Sequence, residues 1–423
     1  MYKKKKILTL LYLCFVTSLS YSQDIQNLTI ENCYSMAKQN YPLVRQYALI
    51  EKSKEYSINN ADKRFLPQFN IAGQATYQSD VTQLPISLPG INIEPLSKDQ
   101  YRLYGEVSQS ITDLFTIKDH KEQINTNAII DEQKIEVELY KLKERINNLF
   151  FGILLIDEQI QQNEIHKKDI QIGIDKTEIA ITNGIALKSS ADNLKAELLK
   201  ANQRTIELKS NRKGFASMLS LFINQSIDEK TTFEKPSQQI LSYTINRPEL
   251  KLFDLQKKTF DIQGKLINAK LLPQFSLFFQ GGLGRPALNL LSNDLDAYYI
   301  GGLRLNWNFS GFYTYKNDKK MLALNQNGLD IQKDVFIFNT TLSMQQQNAE
   351  VSKIQELIDT DQIIVALRES IKGTTKSQLE NGTATTNDYL VAVNAQDQAQ
   401  QNLMLHQIQL LMSQYNHKTT SGN

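Results

Sequence analysis

Two periodicities divide the chain. Between 135 and 160 the apolar residues Ile135, Leu139, Leu142, Ile146, Leu149, Ile153, Ile156 and Ile160 step alternately by four and three positions. Such a stripe repeats every 3.5 residues, the seam of a helix packed along other helices. No proline occurs from Lys118 to Asn183 or from Lys316 to Asn381, two runs of 66 residues. At ~1.5 Å per residue each predicts a helix ~100 Å long, too tall for a compact domain. Both runs end in Asn-Gly, at Asn183-Gly184 and Asn381-Gly382. Glycine accepts the left-handed backbone that stops a helix, and asparagine is next best. Helical spacing resumes over about 187–222 and 386–416, and further helices are predicted over about 29–64 and 248–270. Laid end to end, two short helices match one long helix closely in the first half and more loosely in the second.

Four other stretches alternate apolar and polar positions. Phe69, Ile71, Gly73, Ala75 and Tyr77 share one face of the first; Tyr101, Leu103, Gly105, Val107 and Ile111 share one face of the second. Phe275, Leu277, Phe279, Gly281 and Leu283 form the third set, and Tyr299, Gly301, Leu303, Leu305, Trp307 and Phe309 the fourth. Period two over 9–11 residues is the length and pattern of a transmembrane strand. Tyr77, Tyr101 and Tyr299 stand at one set of ends, and Phe69, Phe275, Trp307 and Phe309 at the other, as in interfacial girdles. The opposite faces carry Arg102, Glu106 and Arg304, read as lining a wet lumen. Four strands cannot close a barrel, and an open edge is not tolerated in lipid. The barrel must be shared: two chains give eight strands and a plugged interior, three give twelve and a lumen.

The pattern occurs twice. Leu66-Pro67-Gln68-Phe69 returns as Leu272-Pro273-Gln274-Phe275, and Pro42 returns as Pro248, both 206 positions later. Proline stops a helix and biases the residue before it towards extended backbone, so Pro67 and Pro273 mark helix-to-strand boundaries. Asp192-x-Leu194-x-Ala196 returns as Asp388-x-Leu390-x-Ala392. The predicted organisation is a first repeat over 23–222, with strands ~69–79 and ~101–111 and a long helix ~116–183. A segment 223–246 follows. The second repeat covers 247–416, with strands ~275–284 and ~299–309 and a long helix ~316–381, and a tail occupies 417–423.

Residues 1–22 carry four lysines, an apolar run and then small residues, the order of a secretory signal peptide. Past them Cys33 is the single cysteine, so no disulfide can form within the chain. No later apolar run approaches 18 residues, so any membrane span is not helical. The net charge of +2 gives no reason to expect a nucleic-acid partner. His120, His166, His406 and His417 lack metal-ligand spacing, and Gly281-Gly282-x-Gly284 lacks the lysine of a phosphate loop. No enzyme, cofactor or metal site is expected.

With "NLTIENCYSMAKQNYPLVRQ", the twin "LPQF" strand starts and the twin Gly-x₅₋₇-Asp-x-Leu-x-Ala tips, the chain resembles the TolC family of outer membrane efflux proteins. The resemblance covers essentially everything after the signal peptide. It implies an α+β membrane protein in which three protomers form a twelve-stranded transmembrane β-barrel, continued by a periplasmic α-helical coiled-coil barrel. Segment 223–246 and the tail would belt its middle. It implies a passive, gated exit duct in the outer membrane of a Gram-negative bacterium, taking small molecules or proteins from a periplasmic adaptor and an inner-membrane pump of the RND or ABC type. The gate and the adaptor-docking tips would be Asn183, Gly184, Asp192, Asn381, Gly382 and Asp388, with Asp388 as an acidic pore ring. Asp388 could equally do no more than start a helical turn, and for Asp192 that is the favoured reading. The family's usual locking tyrosine and arginine are replaced here by Leu379 and Ala384. Competing readings are a porin-like pore, which needs no tall helices, and an extracellular coiled-coil adhesin, which needs no membrane strands.

Overall fold

The computed structural model describes residues 27–82 and 95–423. The expected signal peptide lies outside them, as do residues 83–94 of the first interstrand loop. In chain order the elements are β1 (Asn27–Leu28), α1 (Ile30–Asn40), α2 (Gln46–Asp62), β2 (Gln68–Tyr77), β3 (Asp99–Ser110), α3 (Asp113–Tyr140), α4 (Leu142–Thr182), α5 (Lys188–Ile223), β4 (Thr232–Phe233), α6 (Pro248–Ala269), β5 (Gln274–Arg285), β6 (Asp296–Asn306), α7 (Gly311–Glu380) and α8 (Thr386–Ser421). They fall into two compact units. One holds the described residues up to Val44, Val137–Arg247 and Ile337–Asn423; the other holds Arg45–Glu136 and Pro248–Phe336.

In the helical unit α4 packs along α5 on one side and α8 on the other. The predicted seam is what it buries: Leu142, Ile146, Leu149, Ile153 and Ile156 are all out of solvent. Each such side chain stabilises the pair by roughly 1.5–3 kcal/mol. Phe150 and Phe151 widen the stripe and meet Phe233 and Tyr415 edge-on or tilted. β1 and β4 pair in parallel, Leu28 opposite Phe233. The stretch after β4 is strapped to α8: the Gln239 N–H donates to Gln414 Oε1 (3.1 Å) and the Asn246 N–H to the Ser421 carbonyl (2.7 Å).

The other unit is built on an antiparallel sheet of order β2-β3-β5-β6. Both strand pairs begin directly after the repeated prolines. Leu66, before Pro67, is extended (ψ 143°). The Phe275 N–H donates to Thr112 Oγ1, whose own hydroxyl donates to the Pro273 carbonyl. Ion pairs tie α6 to α7 at Lys257–Asp330 and Lys333–Asp254, both 2.8 Å.

Four boundaries differ from the sequence reading. The helix expected over 29–64 breaks at Tyr41, extended before Pro42 (ψ 131°). The first long helix is interrupted at Lys141, whose N–H only reaches the Val137 carbonyl at 3.4 Å. The strand expected to reach 309 stops at Asn306, because Asn308 Oδ1 turns back to accept the Ser310 N–H (2.9 Å) and opens α7. The predicted tail is helical to Ser421, where Gly422 (φ 92°) ends α8.

Candidate functional site: a two-faced sheet and a helical tip

Register puts the apolar positions of all four strands on one face. Phe69 lies opposite Val107, which faces Phe279, which faces Gly301; Ile71, Gly105, Gly281 and Tyr299 form the next row. This face is uncovered: Phe69 and Ile71 are each 81% exposed and Leu303 60%. From Phe275 to Leu283 it spans ~27 Å at ~3.4 Å per residue, close to the ~25 Å apolar band of a membrane barrel. The aromatic ends do not share a row. Tyr299 lies opposite Ile71, six residues short of Tyr77, and Phe69 lies opposite Phe279, four past Phe275. Both shifts run the same way, the stagger of strands tilted to a barrel axis.

The Tyr77, Tyr101 and Tyr299 side chains are exposed, as are Phe69 and Phe275. Trp307, past the strand end, donates its indole N–H to the Leu271 carbonyl (3.1 Å) and contacts Phe309 at 4.7 Å between centroids. Phe309 in turn stacks on Phe312. Exposed Phe115, Phe312 and Tyr313 extend this group. Sequence reasoning missed these three, because they fall in the first turns of helices, where only the helical period was read.

On the polar face Arg304 Nη1 and Nη2 grip Glu106 Oε1 and Oε2 at 2.9 and 3.1 Å. The pair spans from β6 to β3 over β5, and the guanidinium lies 4.4 Å above the Phe278 ring. Arg102 lies 5.9 Å over the Tyr298 ring. The three charges expected on one face are therefore one interstrand clamp and one arginine on an aromatic. Only register could reveal the clamp, since 198 residues separate its partners.

In the helical unit α4 and α7 end alike. Gly184 (φ 75°) and Gly382 (φ 70°) are left-handed. The Ile185 N–H donates to the Ala180 carbonyl (2.8 Å) and Gly184 to Ile181 (2.9 Å), as Thr383 does to Gln378 (2.9 Å) and Gly382 to Leu379 (3.1 Å). These nested bonds satisfy the last carbonyls of each helix. Asn183 caps α4, and the Asn381 side chain donates to the Ser377 carbonyl (2.9 Å). The turns differ in chemistry: Ile185 and Leu187 are 73% and 74% exposed, whereas the second turn carries Thr383, Ala384 and Thr385.

Asp388 closes a capping box. Its Oδ2 accepts the Thr385 N–H (2.9 Å) and hydroxyl (2.7 Å), and the Asp388 N–H returns to Thr385 Oγ1 (3.2 Å). The Thr385 side-chain and backbone bonds hold this carboxyl below its ordinary value of 3.8. A depressed folded pKa means its stabilisation is full above that ordinary value and is lost as pH falls through the folded one. We expect Thr385→Ala to destabilise the start of α8 by about 1 kcal/mol, seen as faster amide exchange over Thr386–Leu390. Unchanged exchange would refute the cap. Asp192 is exposed beyond the first turn of α5 and caps nothing.

A link between helices near the tip escaped the sequence entirely. Lys372 of α7 reaches Asp169 of α4 (2.8 Å) and Gln396 Oε1 of α8 (3.2 Å). Tyr389, 1% exposed, donates its hydroxyl to the Asp169 carbonyl (3.0 Å), and its ring lies where a Cβ at Gly173 would be. Burial, then the Asp169 charge, pushes the phenol up to about 12. Ile170, Ile174, Leu194 and Val393 surround it, with Leu379 against them. The Thr177 and Thr386 hydroxyls meet at 3.2 Å.

Among the described residues no group of His, Cys, Asp or Glu is placed to hold a metal ion, and no helix is long and apolar enough to cross a membrane. No family model and no curated protein matches the sequence. Solved structures do match. The outer membrane protein VceC of Vibrio cholerae is 13% identical, over 93% of this chain and 96% of its own, with a TM-score of 0.65. The open-state outer membrane channel MtrE of Neisseria gonorrhoeae is 14% identical over 93% and 89%, at 0.64. The outer membrane channel CmeC of Campylobacter jejuni is 12% identical over 95% and 87%, at 0.63. The chain has the fold of these outer membrane proteins, helix-rich and α+β as its resemblance to the TolC family implied.

Proposed function

We propose that the chain is an outer membrane factor of the TolC family: a passive, gated duct through which a periplasmic adaptor and an inner-membrane pump, of RND or ABC type, discharge small toxic molecules or proteins. The observation that carries this is the two-faced sheet, bare and apolar on one side, polar and ion-paired on the other. A soluble protein does not leave so large an apolar face in water. Edge strands β2 and β6 cannot end in lipid, so they must pair with other copies; three copies make twelve strands with a lumen on the Arg304–Glu106 side. Along α7 the exposed Leu324, Ile331, Val335, Phe338 and Leu342 step by seven, four, three and four residues. That is the seam period again, and it suits helices of neighbouring protomers.

On this reading the tips carrying Gly184 and Gly382 close the duct and receive the adaptor, and the Asp169–Lys372 link with buried Tyr389 replaces the family's usual lock. Membrane fractionation with crosslinking tests the whole: an outer membrane trimer is expected, and a soluble monomer would reject it. In planar bilayers Lys372→Ala should raise conductance about threefold or more, since one ion pair with little solvent screening is lost. A conductance equal to wild type would remove Lys372 from the lock. In the same recordings Asp388→Ala should weaken cation preference; an unchanged preference would leave Asp388 with its capping role alone.

A further inference from the structure

A cavity of about 450 Å³ lies where α3 starts and α6 ends. Asp113, Thr116 and His120, three and four residues apart on one face of α3, line one wall. Gln263, Leu266, Ile267 and Lys270 line the other from α6, and Gln274, the first residue of β5, joins them. Leu322 of α7 also lines the cavity. Gly264 admits α7 here: a Cβ on it would stand 3.3 Å from Lys319 Nζ and 3.8 Å from Leu322 Cδ1. The polar side chains of the cavity are not spent on one another. Among the described residues those of Asp113, His120, Gln263, Lys270 and Gln274 make no hydrogen bond or ion pair. Elsewhere on the same helices charges do pair, as Lys265 with Glu122 (2.9 Å) and Lys257 with Asp330 (2.8 Å). Gln274 is in register with Asn306 and two positions before Ser276, which faces Arg304, so it belongs to the polar face of the sheet. On α3 the exposed Phe115 lies about 150° around the helix from the lining residues, at ~100° per position.

We propose that this cavity binds small zwitterionic molecules from the lumen: an amine at Asp113, an acid group at Lys270, and an apolar body along Leu266, Ile267 and Leu322. Its walls carry one carboxylate and one ammonium that do not pair with each other, and amide and imidazole groups between apolar side chains. A ligand with charge of a single sign would be repelled by one of the two. The volume falls within the ~300–1,000 Å³ of small-molecule pockets, which are apolar with a few placed polar groups. The place in the lumen rests on the channel reading, in which the polar face lines the duct. Three protomers then set three such sites around it.

Calorimetry on the detergent-purified protein tests the site, with the dipeptide leucyl-leucine as probe. Binding should weaken about threefold or more when its amine is acetylated, and again when its carboxylate is instead amidated, the loss of one partly exposed charge contact each time. Asp113→Asn should erase only the first difference and Lys270→Gln only the second. No binding to the wild-type protein, or equal binding of free and capped dipeptides, would overturn the site. So would folded variants that leave both differences in place. The capped probes decide the matter on the wild-type protein alone, so a variant that fails to fold does not spoil the test. Planar bilayers test the lumen separately. There leucyl-leucine should lower the current through the wild-type channel, and not through the channel carrying both substitutions. A dipeptide that binds in the calorimeter yet leaves the current untouched would keep the cavity and overturn its place in the lumen, and with it the channel reading.

Discussion

Phe279→Arg is expected to abolish recovery of the protein from the outer membrane, whereas Ile300→Arg, in the neighbouring strand, leaves the protein there. Phe279 is halfway along the apolar run of β5, between Phe275 and Leu283, with its side chain on the uncovered face. A guanidinium at the middle of a barrel's lipid face costs about 2–4 kcal/mol per chain, and in the proposed trimer three copies multiply it. Ile300 is in register with Gln280 and, through it, Glu106, on the polar face. A charge there meets water and other charges. The comparison separates membrane strands from a soluble sheet with one wet face. A soluble sheet would tolerate arginine at both sites, since an exposed residue in water costs little when it becomes charged. If both variants sediment with the outer membrane as trimers, the apolar face does not contact lipid.

What could be read from the sequence was set by period, and what could not was set by distance along the chain. The 3.5-residue stripe from Ile135 to Ile156 is buried as expected, because a helix face is a local property of its sequence. The strand faces were equally legible, since alternation fixes a side chain's side whatever its partner. Alternation also misled. Leu305, Trp307 and Phe309 keep period two, yet the strand ends at Asn306, because one side-chain oxygen at Asn308 begins a helix. The Tyr41 break was signalled by Pro42; the Lys141 interruption has no proline or glycine to announce it. Glu106–Arg304 and Asp169–Lys372 join residues about 200 positions apart. No spacing rule reaches that far. At the positions where the resemblance implies a lock stand Leu379 and Ala384, and no local spacing pointed to Lys372 or Tyr389 instead. Asp388 was legible as an acidic residue near the tip, and Thr385 three positions earlier is the local sign of a capping box.

Gly282→Val is expected to prevent the sheet from forming, while Gly281→Ala, one residue away, is tolerated. A Cβ at Gly282 would stand 2.2 Å from the Leu103 carbonyl oxygen and 2.6 Å from Tyr104 Cα. Both are backbone atoms of β3, the strand paired with β5, so no rotamer change relieves the contact. Separating the strands by the required distance would strip ladder hydrogen bonds on either side of the Tyr104–Gly282 pair. Each bond left without a partner costs about 1–3 kcal/mol, more than a marginally stable chain can lose several times over. At Gly281 the nearest atoms to an added Cβ are the Tyr298 carbonyl oxygen at 3.8 Å and the Phe279 ring at 3.9 Å, an ordinary contact on the apolar face. β3 and β5 come from different halves of the sequence, so their junction is where the halves become one sheet. The measurement is the heat-modifiable trimer: lost in Gly282→Val, kept in Gly281→Ala. Wild-type trimer yield and melting in Gly282→Val would show that the strands part there without cost, and that the close approach of β3 to β5 is not what joins the halves.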